Sequence, residues 1–116
     1  MIQGIGIDII ELERIKKAVK RNSRFAERIL TESEQAASRH FSDSRKIEFV
    51  AGRFAAKEAF VKASGIKKIS WHDIEILNDI QGKPTMTGPI EEYIHVSISH
   101  SQAYAVAQVI IEAKSP

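Results

Sequence analysis

The 116-residue chain has 17 Lys/Arg against 15 Asp/Glu and no cysteine. One domain, residues 1–116, is expected at this length, and the missing thiols exclude a disulfide framework, a thiolate metal site and a cysteine nucleophile together. The net charge of +2 conceals an uneven spread: residues 1–70 hold 15 basic and 9 acidic side chains, a balance of +6, whereas residues 71–116 hold 2 and 6, a balance of −4. The first half is therefore suited to an anionic ligand or partner.

The opening MIQGIGIDII alternates with period two. Ile5, Ile7 and Ile9 face one way, with Gly4, Gly6 and Asp8 the other, as in a strand. It lacks a basic leader and contains Asp8, so it does not read as a signal peptide. No apolar run approaches the roughly 18 residues of a membrane span, and a soluble cytoplasmic protein is expected. A helix follows with Leu12, Ile15 and Val19 at helical spacing, and Thr31-Glu32-Ser33-Glu34 reads as a capping box opening a second, short helix. The longest helix is predicted from about Ser44 to Ser64, ending at Gly65. Strand-like stretches come after it at Ile74–Leu77, Ile94–Ser99 and Tyr104–Ile111, with a turn at Gly82-Lys83-Pro84 between the first two. This order predicts an α+β fold in which a small antiparallel sheet packs on the long helix.

The long helix is apolar on two sides: Ile47, Val50, Phe54 and Val61 form one stripe, Phe49, Ala56, Phe60 and Ala63 another. Both need covering, and a neighbouring subunit is expected over the second. Glu58 lies on the shoulder of the first stripe, where a carboxylate is costly to desolvate unless a cation receives it. Two readings are open: a surface pair with Lys62 one turn on, or a metal ligand. Asp8 also has two, a helix N-cap or a ligand in a strand otherwise built of Ile and Gly, where Asp is depleted and Gly marks close approach by a ligand or another backbone. Taken together, the two carboxylates suit Mg²⁺, which takes one or two carboxylates plus substrate phosphates and keeps several waters.

Arg53 and Lys57, one turn apart on the opposite shoulder, read either as cations that grip phosphates or as ordinary solvated charge. In Ser97-Ile98-Ser99-His100-Ser101, Ser97 and Ser99 share a face with His95 while Val96 and Ile98 point to the core. No G-x-S-x-G context surrounds these serines, and no histidine pair has zinc spacing. Arg14, Lys17 and Arg21 share a helical face, and Lys20, Arg24 and Arg28 extend it at i+4 spacing, which makes this segment either a solvated face or a docking patch. Nucleic-acid binding through it has weak support, because Phe25 is the only aromatic residue there to stack on a base.

Gly4-Ile5-Gly6-Ile7-Asp8-Ile9 with Glu11 and Arg14, Arg53-Phe54-Ala55-Ala56-Lys57-Glu58-Ala59 with Lys62-Ala63 and Gly65, Gly82-Lys83-Pro84, and Ser97–Ser101 with Tyr104 and Ala105 together resemble the holo-[acyl-carrier-protein] synthase family of the 4′-phosphopantetheinyl transferase superfamily. The resemblance spans nearly the whole chain in order. It implies a transfer of phosphopantetheine from coenzyme A to a serine of an acidic acyl carrier protein, in fatty acid biosynthesis. It implies Mg²⁺ on Asp8 and Glu58, with Glu58, Lys62 and His100 as catalytic residues. Arg53, Lys57, Lys62, Gly65, Ser99 and His100 would line the coenzyme A site, and Arg14, Lys17, Arg21, Arg24 and Arg28 would meet the carrier. A homotrimer with sites between subunits is implied, with no nucleic-acid or membrane partner. Two departures stand out: Ile66-Lys67-Lys68 follow Gly65 where the family usually has another glycine, and the stretch from Pro84 to His95 is short and lacks a small helix.

Overall fold

Ten extended residues, Ile2–Glu11, form strand β1 and fix the architecture through their glycine face. In the computed structural model, which describes residues 1–115, β1 pairs antiparallel with the last strand, β5 (Tyr104–Glu112), which pairs antiparallel with β4 (Tyr93–His100). The sheet order is β1-β5-β4. Between β1 and β4 the chain forms α1 (Leu12–Arg21), α2 (Phe25–Ile29), α3 (Glu32–Ala37), the long α4 (Asp43–Ser64), a 3₁₀ turn at Trp71–Asp73, and a hairpin of β2 (Glu75–Asn78) and β3 (Pro84–Thr87).

Helix α4 lies against β1 so closely that only glycine fits beneath it. A Cβ at Gly4 would stand 2.9 Å from the carbonyl carbon of Ala63, and one at Gly6 would stand 2.8 Å from the Ala63 nitrogen. The close approach read from the Gly/Ile alternation is therefore made by the backbone of α4. Two residues of strand advance about 6.6 Å and four of helix about 6.0 Å. Gly4 over Ala63 and Gly6 over Ala59 thus continue to Asp8 over the turn that ends in Glu58. The helix starts at Ser42, whose hydroxyl accepts from the Arg45 N–H at 3.3 Å. It stops at Gly65, which has φ 73° and donates its N–H to the Val61 carbonyl at 2.9 Å. The left-handed conformation there favours glycine.

The structure narrows the expectation that a second subunit covers the second stripe of α4, of which Phe49 and Ala63 stay half-buried. Ala56 and Phe60 of the second stripe are fully buried within the chain, as are Val50, Ala51, Ala55 and Ala59. One side of α4 takes the sheet, and the other takes α1, α2 and the segments around Glu34 and Ile76. A row of exposed apolar side chains lies elsewhere, on the outer face of the sheet: Ile5, Ile7 and Ile9 are 60%, 58% and 61% exposed. Ile110 and Val106 of β5 stand opposite Ile5 and Ile9.

Two further differences concern local elements. Strand β3, which carries too few apolar residues to signal a period, pairs with β2 through the turn at Gly82 (φ 85°). The basic segment is two helices, α1 and α2, separated at Asn22–Arg24, so the i+4 series Lys20-Arg24-Arg28 does not lie on one helix. Residues 88–92 between β3 and β4 form no helix, in keeping with the shortness of that stretch. No helix among the described residues is long and apolar enough to cross a membrane.

Candidate active site

Asp8 sits on the helix-facing side of β1, opposite Ala107 of β5, with its side chain 17% exposed. Its carboxylate accepts from the Lys62 ammonium at 3.1 Å, and the same ammonium donates to the Ile7 carbonyl at 2.9 Å. Lys62 thus pairs with Asp8 across the strand–helix contact, and no salt bridge joins it to Glu58 one turn back. Glu58 is half-buried beside them. Burial pushes its carboxyl above the ordinary carboxylate value, the charge of Asp8 pushes it the same way, and Lys62 opposes both. Asp8 and Glu58 are therefore close enough to repel each other, and a cation shared between them relieves that repulsion.

This donor set fits a hard divalent cation completed by other oxygens. Among the described residues no group of three or more His, Asp or Glu gathers around one point, so the chain does not build a closed metal cage. Two carboxylates, one of them pushed above its ordinary value by burial and a like charge, fit a hard cation that takes one or two carboxylates and completes its shell with phosphate oxygens and water.

Lys57 faces the opposite side of α4 and corrects the expectation of a phosphate-gripping cation there. Its ammonium is 1% exposed and its three N–H groups are spent: on the Glu34 carboxylate at 2.7 Å, the Ile29 carbonyl at 2.7 Å and the Trp71 carbonyl at 3.1 Å. Burial lowers its pKa and Glu34 raises it, with burial the larger effect. Glu34 is itself fully buried and also accepts from the Ile76 N–H at 2.7 Å and the Thr31 N–H at 2.9 Å. The capping box was legible in sequence, but it uses one carboxylate oxygen. The pairing to Lys57, 23 residues on, leaves no local signal.

Arg53 is also turned inward, 7% exposed, with its guanidinium 4.0 Å from the Phe49 ring and Nη2 3.4 Å from both the Ile76 carbonyl and Asn78 Oδ1. Its Nε has no partner. Ser99 and His100, adjacent in β4, point to opposite faces. Ser99 is in register with Val106 and Ile9, His100 with Ala105 and Ile10. His100 shares the face of Asp8 but lies two strands across and two residues along, about 12 Å away in the sheet plane. Its Nδ1 is 3.7 Å from Glu48. Within one chain, then, Asp8, Glu58 and Lys62 come together, Gly65 lies one turn further at the helix end, and Ser99 and His100 do not join them.

Arg14, Lys17, Arg21, Arg24 and Arg28 are all exposed. Beside them lies an aromatic stack that the sequence reading missed: Phe54 stacks on Trp71 at 5.1 Å and on Phe25 at 6.5 Å, all three half-buried. The basic segment and the apolar stack meet at Phe25, in α2.

The family model described as the 4′-phosphopantetheinyl transferase superfamily matches residues 4–109. A holo-[acyl-carrier-protein] synthase of Anoxybacillus flavithermus is 57% identical over 119 residues, covering 99% of each chain. One of Halalkalibacterium halodurans is 54% identical over 118 residues, again 99% of each. The structure of a Bacillus anthracis holo-(acyl-carrier-protein) synthase in complex with coenzyme A (3′,5′-ADP) superposes with a TM-score of 0.91 at 53% identity, covering 98% of this chain and 99% of that one. A Helicobacter pylori synthase in complex with coenzyme A gives a TM-score of 0.80 at 37% identity over 93% and 99%. With one signature motif on β1 and the other on α4 meeting at Asp8, Glu58 and Lys62, and relatives of one activity matching from end to end, the chain belongs to the holo-[acyl-carrier-protein] synthase family of 4′-phosphopantetheinyl transferases and is an enzyme of it.

Proposed function

We propose that this enzyme transfers the 4′-phosphopantetheine of coenzyme A to a serine of an apo acyl carrier protein, in fatty acid biosynthesis in the cytoplasm. The serine hydroxyl oxygen attacks the β-phosphorus of coenzyme A. The bond from that phosphorus to the bridging oxygen breaks, and adenosine 3′,5′-bisphosphate leaves with the electron pair. The observation that supports this reading best is the meeting of Asp8, Glu58 and Lys62 across the glycine contact of β1 with α4. Asp8 and Glu58 would hold Mg²⁺, which would supply positive charge to neutralise the pyrophosphate oxygens. Glu58, whose carboxyl is held above its ordinary value by burial and Asp8, is placed to take the serine proton. Lys62, one turn on and half-exposed, reaches the phosphates as a mobile point charge. Ser99, His100 and Gly65 complete the coenzyme A site, whereas the inward-turned Arg53 and Lys57 serve as buried support behind it.

The enzyme works as a homotrimer, and the outer sheet face of Ile5, Ile7 and Ile9 is the surface it buries, since apolar patches of that kind mark interaction sites. A partner protomer then brings Ser99 and His100 to the carboxylates, which one chain leaves apart. Arg14, Lys17, Arg21, Arg24 and Arg28 receive the acidic carrier, steering its approach. The test is direct. The protein is incubated with apo carrier, coenzyme A and Mg²⁺, and the carrier is weighed by mass spectrometry. A phosphopantetheine adduct that needs the divalent ion is expected. No adduct, or one formed equally in excess chelator, overturns the reading.

A further inference from the structure

The Lys62 ammonium donates to the Asp8 carboxylate, the group a divalent cation there would share, at 3.1 Å, while anchored to the Ile7 carbonyl at 2.9 Å. A cation at Asp8 and an ammonium in that position repel each other, and only one of them is tied to a flexible four-carbon stem. The Lys62 side chain is 55% exposed, so it has room to swing, whereas Asp8, at 17%, does not. We propose that Lys62 is an exchangeable counter-ion of Asp8: the entering divalent cation displaces it, and the freed ammonium becomes available to the diphosphate of coenzyme A. The proposal rests on the metal reading above but adds a sign to it. The same lysine that assists the anionic ligand opposes the cation in the free enzyme, so the two ligands are coupled through one side chain.

Two features of the geometry support this. Lys62 lies one helical turn beyond Glu58 on α4, so an ammonium leaving Asp8 stays within reach of anything bound between the two carboxylates. The ammonium bridges the Ile7 carbonyl and the Asp8 carboxylate across the strand–helix contact, so a cation arriving at Asp8 meets it directly. Linkage then makes the effect reciprocal: whatever factor cation binding adds to coenzyme A affinity by releasing Lys62, coenzyme A adds to cation affinity.

The experiment measures Mn²⁺ binding to the assembled enzyme by electron paramagnetic resonance, with and without coenzyme A. In Lys62→Met, Mn²⁺ should bind the free enzyme at least about 5-fold more tightly than in wild type, the lower end of ordinary site–site coupling. The gain in Mn²⁺ affinity conferred by coenzyme A should shrink by a similar factor. Lys68→Met, which removes one exposed positive charge from the segment after α4 without touching Asp8, should leave both quantities unchanged. Equal or weaker Mn²⁺ binding in Lys62→Met, or the same tightening in Lys68→Met, overturns the displacement. Asp8→Asn separates the two readings. If it abolishes Mn²⁺ binding while Lys62→Met changes nothing, displacement alone is wrong; if it keeps wild-type Mn²⁺ binding, the metal reading fails and displacement with it.

Discussion

Gly6→Ala places one methyl group where the strand–helix contact leaves no room. Its Cβ would stand 2.8 Å from the Ala63 nitrogen and 3.1 Å from the Ala59 carbonyl carbon, and it would overlap the Ala59 carbonyl oxygen. Ordinary carbon contacts sit at about 3.5–4.0 Å, so β1 and α4 must part by roughly 1 Å. Backbone atoms stand on the helix side, and no flexible side chain is there to yield. Overpacking of this kind costs about 1–3 kcal/mol, against a total of about 5–15 kcal/mol, so the variant stays folded. Its Tm should fall by about 4–8 °C for each kcal/mol lost. The larger effect falls on the site, because the same displacement carries Glu58 away from Asp8. A misplacement of about 1 Å costs about 100-fold in rate. The assay is phosphopantetheine transfer alongside thermal unfolding. Wild-type rate and Tm in Gly6→Ala would refute the argument that these glycines set the spacing of the carboxylates.

Lys57→Met leaves Glu34 buried without its cation and should cost about 3–5 kcal/mol in urea unfolding; a loss under about 1 kcal/mol would show that the pair is not the clamp its geometry describes. Arg21→Glu with Arg24→Glu should raise the carrier KM while leaving the coenzyme A KM nearly unchanged, and added salt should mimic it in the wild type. An unchanged carrier KM would make this segment a solvated face only. Ile7→Lys puts a charge in the middle of the exposed isoleucine row and should reduce the sedimenting species from trimer to protomer. A trimer that persists would place the subunit contact elsewhere.

The parts of this fold legible in the sequence were those written in short-range pattern. The alternation of Ile and Gly gave β1, and the residues from Ser42 to Gly65 gave α4 with both ends to within a residue or so, because caps and left-handed glycines act locally. Asp8 and Glu58 were legible as carboxylates in surroundings that do not otherwise hold them. Their nearest cation was not. Glu58 and Lys62 have helical spacing, but the strand–helix contact hands Lys62 to Asp8, 54 residues away. Lys57 looked like a free cation for the same reason, since Glu34 and the Ile29 carbonyl approach it only through tertiary packing. The two-sided apolar pattern of α4 correctly demanded cover on both sides. It did not reveal that the short elements between β1 and β4 supply it, leaving the sheet's outer isoleucines exposed.

Glu58→Gln tests the central claim most directly, because it keeps the shape of the side chain and removes its charge. Loss of outer-shell partners of metal ligands already costs about 10–100-fold, so loss of a ligand charge should lower transfer to the carrier serine by at least about 100-fold. Thermal stability should hold or rise slightly, since a desolvated carboxylate is being neutralised. A Glu58→Gln enzyme that labels the carrier at the wild-type rate in ordinary Mg²⁺ would contradict the account.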